Sequence, residues 1–215
     1  MIPGRFLFRF TLSCLHRDPL WTDLRQAWDE AYLLPDLGAL EGRAFPADVY
    51  AAWGKEGLAF RFQVRDKKQE PWCRPTRIEE SDGIQVWIDT RDVRNVHRAS
   101  RFCHRFAFLP TDGTAAHRPI AEWLSIHRSK EQPAPVHIEE LKIASAVVPD
   151  GYVLQVLVPA HALTGFDPEE HPVLGLNYAI RDRELGMHTL GPGSPFPFDQ
   201  DPGLWVGLEL ARAEG

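Results

Sequence analysis

Cysteine is scarce in this sequence. The 215 residues contain three cysteines, Cys14, Cys73 and Cys103. Their number is odd and their spacing matches no zinc or redox motif, so neither a disulfide framework nor a cysteine metal site is predicted. A reducing compartment is the default expectation.

Long apolar runs are also missing. No stretch of about 18 apolar residues occurs, which predicts no transmembrane helix. The apolar-leaning start is interrupted by Arg5 and Arg9 and carries no small-residue cleavage site. We therefore expect no signal peptide, no membrane partner and, by default, a cytoplasmic location.

An excess of positive charge is absent. Lys and Arg number 24 against 30 Asp and Glu, a formal net charge of -6. Nucleic-acid binding needs a positive footprint, so no nucleic-acid partner is expected. Basic residues do gather between Arg91 and Arg105, which is either a solvated surface or a docking face.

Catalytic motifs are lacking as well. The chain has no HExxH, G-x-S-x-G, Walker or dinucleotide-binding motif. Glu79/Glu80 and Glu139/Glu140 are sequence neighbours on opposite strand faces, whereas glycoside hydrolysis needs two carboxylates across a cleft. The sequence predicts a protein that is not an enzyme, and it indicates no cofactor.

The sequence is rich in aromatic residues, proline and glycine, and it shows the alternating pattern of strands. It has 7 Trp, 12 Phe, 18 Pro and 16 Gly. Residues 18–34 show apolar side chains at helical spacing and are either a short helix or an irregular lead-in. Alternating apolar residues predict strands at 58–65, 83–90, 101–109, 136–148, 151–158, 173–181 and 204–211. One all-β domain over 1–215, a jelly-roll-like sandwich of two antiparallel sheets with short helical turns, is expected.

The strand phrases occur in a recognisable order: LAFRFQVRD at 58–66, SDGIQVWID at 81–89, PDGYVLQVLVPAHAL at 149–163, GLNYAIRD at 175–182 and PGLWVGLEL at 202–210. Over about residues 20–211 this series resembles the family-9 carbohydrate-binding modules and the wider DOMON-like sandwiches. The resemblance implies two antiparallel sheets that hold a sugar between aromatic side chains, and structural calcium in some members. It also implies frequent attachment to a glycoside hydrolase, although this sequence shows neither a catalytic domain nor an export signal.

The candidate binding residues are one aromatic platform and polar groups at strand ends. Trp72 lies in a polar loop between two prolines, where its ring either covers a sugar face or folds onto the sandwich edge. A second aromatic wall is expected from residues 188–205. Carboxylates, amides and guanidinium groups are suited to sugar hydroxyls or calcium, and the aspartates are alternatively turn caps. The predicted ligand-binding residues are Asp66, Trp72, Asp82, Asn177, Arg181, Asp182, Phe196 and Trp205.

Three functions follow from these observations. The first is a non-catalytic protein that binds a small sugar or a glycan end. The second is a protein-interaction module that keeps the sandwich without sugar binding. The third is an accessory part of a glycoside-hydrolase system. The oligomeric state and the sugar stay open.

Overall fold

A computed structural model describes residues 7–212. Eleven strands lie in this part of the chain: β1 Thr11–His16, β2 Ala47–Gly54, β3 Gly57–Val64, β4 Gly83–Asp89, β5 Cys103–Leu109, β6 Ile120–Leu124, β7 Lys142–Val148, β8 Gly151–Pro159, β9 Val173–Asp182, β10 Gly186–Thr189 and β11 Val206–Ala211. Short 3-10 turns occur at Glu30–Tyr32, Leu37–Glu41, Pro75–Glu80, Ile138–Glu140, Ala160–Ala162 and Pro202–Leu204. None of the described helices is long and apolar enough to cross a membrane.

The strands form one mixed sheet in the order β6-β5-β4-β9-β11-β1-β2-β3-β8-β7, with β10 paired to β9. We call β6, β5, β4, β9, β10 and β11 the front half-sheet, and β1, β2, β3, β8 and β7 the back half-sheet. β1 pairs in parallel with both β11 and β2, whereas the other pairs are antiparallel. The predicted all-β sandwich is confirmed, with the difference that a parallel seam at β1 joins the two layers.

The main core lies between the half-sheets. Ile84, Val86 and Ile88 point inward from β4, and Phe60 and Phe62 point inward from β3. The rings of Phe62 and Tyr178 meet edge to face across the two layers, with centroids 5.9 Å apart. The period-two alternation places these side chains on the inner face, because successive residues of a strand point to opposite sides.

Smaller apolar layers cover the outer faces. Trp28 packs over Ala52, Ala59 and Leu157 of the back half-sheet. Trp87 and Trp205 belong to a second cluster, on the outer side of the front half-sheet. Most of the tryptophans are therefore part of the architecture.

Of the two structures expected for residues 18–34, the irregular lead-in is confirmed, apart from the 3-10 turn at Glu30–Tyr32. Other local predictions differ from the structure. The predicted strand at 136–148 begins only at Lys142. β2, β6 and β10 were not predicted. The apolar-leaning start of the sequence lies partly outside the described residues, and β1 starts at Thr11.

Candidate functional site

A buried lysine organises one end of the core. Lys67 Nζ lies 2.5 Å from Asp182 Oδ2, 3.4 Å from Asp82 Oδ2 and 4.0 Å from Glu184 Oε2. The side chains of Lys67, Asp82 and Asp182 are all 2% exposed or less. We call these four residues the end cluster. Buried charges need partners of this kind, since an unpaired charge in the interior is very unfavourable.

Backbone amides complete the end cluster. Asp82 Oδ1 accepts a hydrogen bond from the amide of Arg183 at 2.8 Å, and Asp82 Oδ2 accepts one from the amide of Trp72 at 3.0 Å. Asp182 Oδ1 accepts from the amides of Glu184 and Leu185. The two aspartates therefore tie the loop of Trp72 to the turn after β9.

Glu184 ties a third segment to the same place. Its carboxylate accepts hydrogen bonds from the amides of Lys68 and Gln69 at 3.0–3.1 Å. The Lys67 amide in turn donates to the Asp150 carbonyl at 2.9 Å. The loop after β3 is thus held on both sides by the strands around it.

Tyr152 adjoins the end cluster from the back half-sheet. Its side chain is fully buried, and its hydroxyl has no hydrogen-bond partner within residues 7–212. Burial and the nearby charges of Asp182 and Asp82 raise the pKa of Tyr152 well above its ordinary value. The back half-sheet therefore contributes a neutral phenol here and no further charge.

Trp72 is half-buried beside this cluster. Its carbonyl accepts a hydrogen bond from the Asp82 amide at 2.9 Å, so both backbone groups of Trp72 are bonded to Asp82. The Cζ atom of Arg183 lies 4.4 Å from the ring centroid, and that of Arg74 lies 5.6 Å from it. The ring is thus held on a fixed backbone with two exposed guanidinium groups beside it.

The other predicted residues near Trp72 are exposed. Asp66 has a left-handed backbone with φ of 61° and immediately precedes Lys67. Arg181 is exposed on β9, where its Cα pairs with Gly83 and Met187. Three predicted residues, Trp72, Asp82 and Asp182, are therefore brought together by direct hydrogen bonds or by Lys67, and Arg181 adjoins them.

The remaining predicted residues form a second group on the outer side of the front half-sheet. Asn177 is 0% exposed, and its Oδ1 accepts a hydrogen bond from the Gly191 amide at 3.0 Å. Trp205 is 3% exposed, and its Nε1 donates to the Phe198 carbonyl at 2.8 Å. Phe196 is half-buried in the same loop. We call Trp87, Asn177, Phe198 and Trp205 the loop cluster.

The loop cluster contains two buried donors without a partner in the described part of the chain, Trp87 Nε1 and Asn177 Nδ2. These residues are directly paired between β4 and β9. Asn177 and Asp182 are five residues apart on β9, or roughly 16 Å along the strand. The predicted residues thus fall into two groups rather than one pocket, and each group has a half-buried aromatic ring, Trp72 in one and Phe196 in the other.

A polar network lies between the two groups on the same outer face. Arg105 Nη2 lies 2.7 Å from Gln85 Oε1 and 2.6 Å from Glu79 Oε1. Its Cζ also lies 5.4 Å from the ring centroid of Trp87. Arg105 is therefore already paired, unlike the arginines beside Trp72.

The opposite end of the core is closed by a histidine. His104 is 0% exposed, and its Nε2 accepts a hydrogen bond from the Thr164 amide at 2.9 Å. Its ring stacks on Phe106 with centroids 6.1 Å apart. Burial lowers the pKa of His104 to about 4, so the imidazole is neutral at pH 7. The alternation of His104 with Phe102 and Phe106 in the sequence is typical of such a core position.

Calcium, which the family resemblance implies for some members, does not fit the end cluster. Ca²⁺ takes six to eight oxygen ligands, but here an ammonium group lies between the carboxylates and backbone amides take the other oxygens. Throughout residues 7–212, no group of three or more His, Cys, Asp or Glu side chains is arranged to hold a metal ion.

Sequence reasoning missed Lys67, Arg74, Arg183 and Glu184. Lys67 follows Asp66 in a run of charged residues that looks like an exposed loop. The left-handed turn at Asp66, which precedes the buried lysine, leaves no periodic pattern of apolar residues in the sequence. Arg183 and Glu184 follow Asp182 at the end of a predicted strand, and this position was the one indication in the sequence that they adjoin the site.

The comparisons with known proteins agree with this architecture. No family model matches the sequence, and no curated protein matches it either. A family-9 carbohydrate-binding module from Caldicellulosiruptor kristjanssonii, solved with cellotriose, matches with a TM-score of 0.60 at 11% identity, over 95% of each chain. The structure of a family-9 module from the same organism with glucose matches with a TM-score of 0.61 at 11% identity, over 95% of this chain and 97% of that one. The fold is therefore that of the family-9 modules.

Proposed function

We propose that this protein is a non-catalytic carbohydrate-binding protein that holds a small sugar or a glycan end against Trp72. The observation that carries the proposal is the half-exposed Trp72 ring, whose backbone is bonded on both sides to buried Asp82. An aromatic ring covers the apolar C–H face of a pyranose, and its rigid backbone keeps the entropy cost of binding low. The fold of two sugar-bound modules supports this function.

Polar groups beside the ring suit sugar hydroxyls. The guanidinium groups of Arg183 and Arg74 lie over the Trp72 ring, 4.4 and 5.6 Å from its centroid, and present planar N–H donors there. Asp82 and Asp182 were predicted to bind the ligand, but in this proposal they do not contact it. Their oxygens already accept hydrogen bonds from Lys67 and backbone amides. They position the platform, and the exposed arginines make the polar contacts.

The test is calorimetry and intrinsic tryptophan fluorescence with a panel of monosaccharides and disaccharides. We expect saturable binding that Trp72→Ala weakens at least tenfold, because the platform is lost. Trp21→Ala is the matched control, since Trp21 is also half-buried but packs on the outer face of the back half-sheet. Folded protein that binds no sugar in the panel would refute the proposal.

The interaction module is less well supported, because part of its basic stretch is paired within the chain. Arg94 Nε bonds Asp92 at 2.7–2.9 Å, and His97 lies 3.0 Å from Asp201. Arg105 is held by Glu79 and Gln85, as described above. Arg98 and Arg101 remain exposed without a carboxylate partner in the described part of the chain. A place beside a glycoside hydrolase remains a proposal without a contact in its favour.

A further inference from the structure

The arginines beside Trp72 lack the carboxylate partners that some other arginines of the chain have. Arg65 pairs with Asp48, Arg94 with Asp92 and Arg105 with Glu79. Within residues 7–212, neither Arg74 nor Arg183 forms an ion pair with a carboxylate within 4.0 Å. Both side chains are exposed, and both guanidinium groups lie within 5.6 Å of the same ring centroid.

A third unpaired cation lies on the same strand end. Arg181 precedes Arg183 by two residues, is exposed, and forms no ion pair with any described residue. Arg183 is the first residue of the turn after β9, and Arg181 pairs with Gly83, the residue after Asp82. Two guanidinium groups therefore lie over the half-buried Trp72 ring, and a third lies on the neighbouring strand end.

The carboxylates of the end cluster are already bonded. Those of Asp82, Asp182 and Glu184 bind Lys67 or backbone amides. The groups that remain accessible at the Trp72 ring are the guanidinium groups of Arg74 and Arg183, and the exposed Asp66 carboxylate lies in the loop before Lys67. Two guanidinium groups without a carboxylate partner are suited to an anionic ligand group.

We propose that the Trp72 site selects an acidic sugar, with the ring on the apolar face of a uronic acid and the carboxylate against Arg183 and Arg74. This inference rests on the proposed sugar-binding function and names its ligand class. A guanidinium group binds a planar carboxylate through two parallel N–H···O bonds, which a neutral hydroxymethyl group cannot accept. The site then discriminates by charge as well as by ring shape.

The test compares D-glucuronate with D-glucose, which share the ring and differ at the sixth carbon, by calorimetry at pH 7 and low salt. D-glucose 6-phosphate supplies a dianion on the same ring, and acetate supplies a carboxylate without a ring. We expect glucuronate to bind about tenfold more tightly than glucose, more tightly than glucose 6-phosphate, and acetate to show no saturable binding. The advantage over glucose should shrink as salt is raised, because exposed charges are screened.

Arginine variants test the residues themselves. Arg183→Gln and Arg74→Gln should each weaken glucuronate binding more than glucose binding and so remove most of the advantage of glucuronate, because a charge-assisted pair loses more than a hydrogen bond to a hydroxyl group. Arg25→Gln is the matched control, because it removes one exposed charge from the lead-in over the back half-sheet. Thermal melts of all three variants should match the unmodified protein, since no ion pair is lost.

The outcomes separate the two proposals. Equal or tighter binding of glucose overturns the acidic-sugar inference and leaves the proposed function standing. Tighter binding of glucose 6-phosphate than of glucuronate also overturns it, in favour of a phosphorylated sugar. If glucuronate still binds more tightly than glucose, by the same factor, in both Arg183→Gln and Arg74→Gln, the two arginines do not select the carboxylate. Binding of no sugar by folded protein overturns both proposals.

Discussion

The two ends of the core are closed by buried polar groups in opposite ways. At one end, Lys67 carries a full charge among Asp82, Asp182 and Glu184, and the oxygens of these carboxylates bind it or backbone amides. At the other end, the His104 imidazole is neutral and accepts a single hydrogen bond from Thr164. The charged end joins the loops of Lys67 and Trp72 to the turn after β9, whereas the neutral end holds a single loop through Thr164. The comparison indicates that the charged cluster is the one that joins several segments.

The charged end should be the most sensitive to mutation. Lys67→Met removes the ammonium group and leaves Asp82 and Asp182 buried without their cation. We expect a loss of about 3–5 kcal/mol in the free energy of unfolding, the range for breaking a buried ion pair on one side. Urea unfolding at pH 7 measures it. Lys68→Met is the control, since Lys68 is exposed and should change stability by no more than about 0.5 kcal/mol. A loss below about 1 kcal/mol for Lys67→Met would show that the end cluster contributes little.

The neutral end should respond to pH. Burial lowers the pKa of His104 to about 4 from an ordinary value of 6.5. The unfolded chain therefore binds the proton first, so the contribution of this group is complete above pH 6.5 and is lost as pH falls toward 4. Between pH 6.5 and 4.5 we expect a decrease of about 1–3 kcal/mol from His104, at roughly 1.4 kcal/mol per pH step.

The measurement is urea unfolding at several pH values for the unmodified protein and His104→Gln. The variant should be less stable at pH 7 but should lose less stability on acidification. Parallel pH profiles for the two proteins would mean that other groups cause the acid sensitivity.

Substitution of Trp205 in the loop cluster should reduce the free energy of unfolding more than substitution of Trp72. Trp205→Phe removes a buried indole and its hydrogen bond to the Phe198 carbonyl, and should cost about 1–2 kcal/mol of stability. Trp72→Phe keeps both backbone bonds to Asp82 and should cost less than about 0.5 kcal/mol. Chemical unfolding of both variants gives the two values. A larger cost for Trp72→Phe would make that ring a core residue rather than a binding surface.

Much of the fold could be predicted because strand alternation is local. Ile84, Val86 and Ile88 define the inner face of β4 from their spacing alone, and the turn at 149–151 marks the hairpin between β7 and β8. β2 escaped prediction because Ala51, Ala52 and Trp53 are buried on both faces, which removes the period of two. The aromatic spacing of residues 18–34 left a helix and an irregular lead-in open, and the lead-in forms, with Trp28 packed on the back half-sheet and the Arg17 guanidinium 4.2 Å from its ring centroid.

The candidate site was only partly predictable. Asp82 and Asp182 follow from their positions at strand ends, and Trp72 follows from its loop. Asn177 and Trp205 were grouped with them, yet the structure buries both in the loop cluster. Whether a side chain at a strand end points to solvent or to a partner depends on which other loops reach that end, and spacing along the chain carries no such information.

The sequence by itself determined the all-β class, the strand phrases and the scarcity of cysteine, because these depend on composition and on neighbours in the chain. The tertiary structure alone decided that Lys67 lies inside and that Arg74 and Arg183 remain unpaired beside Trp72. Lys67 contacts Asp182 across 115 residues of chain. A lysine is buried only where carboxylates from distant strands compensate its desolvation, and that condition exists only once the sheet has formed.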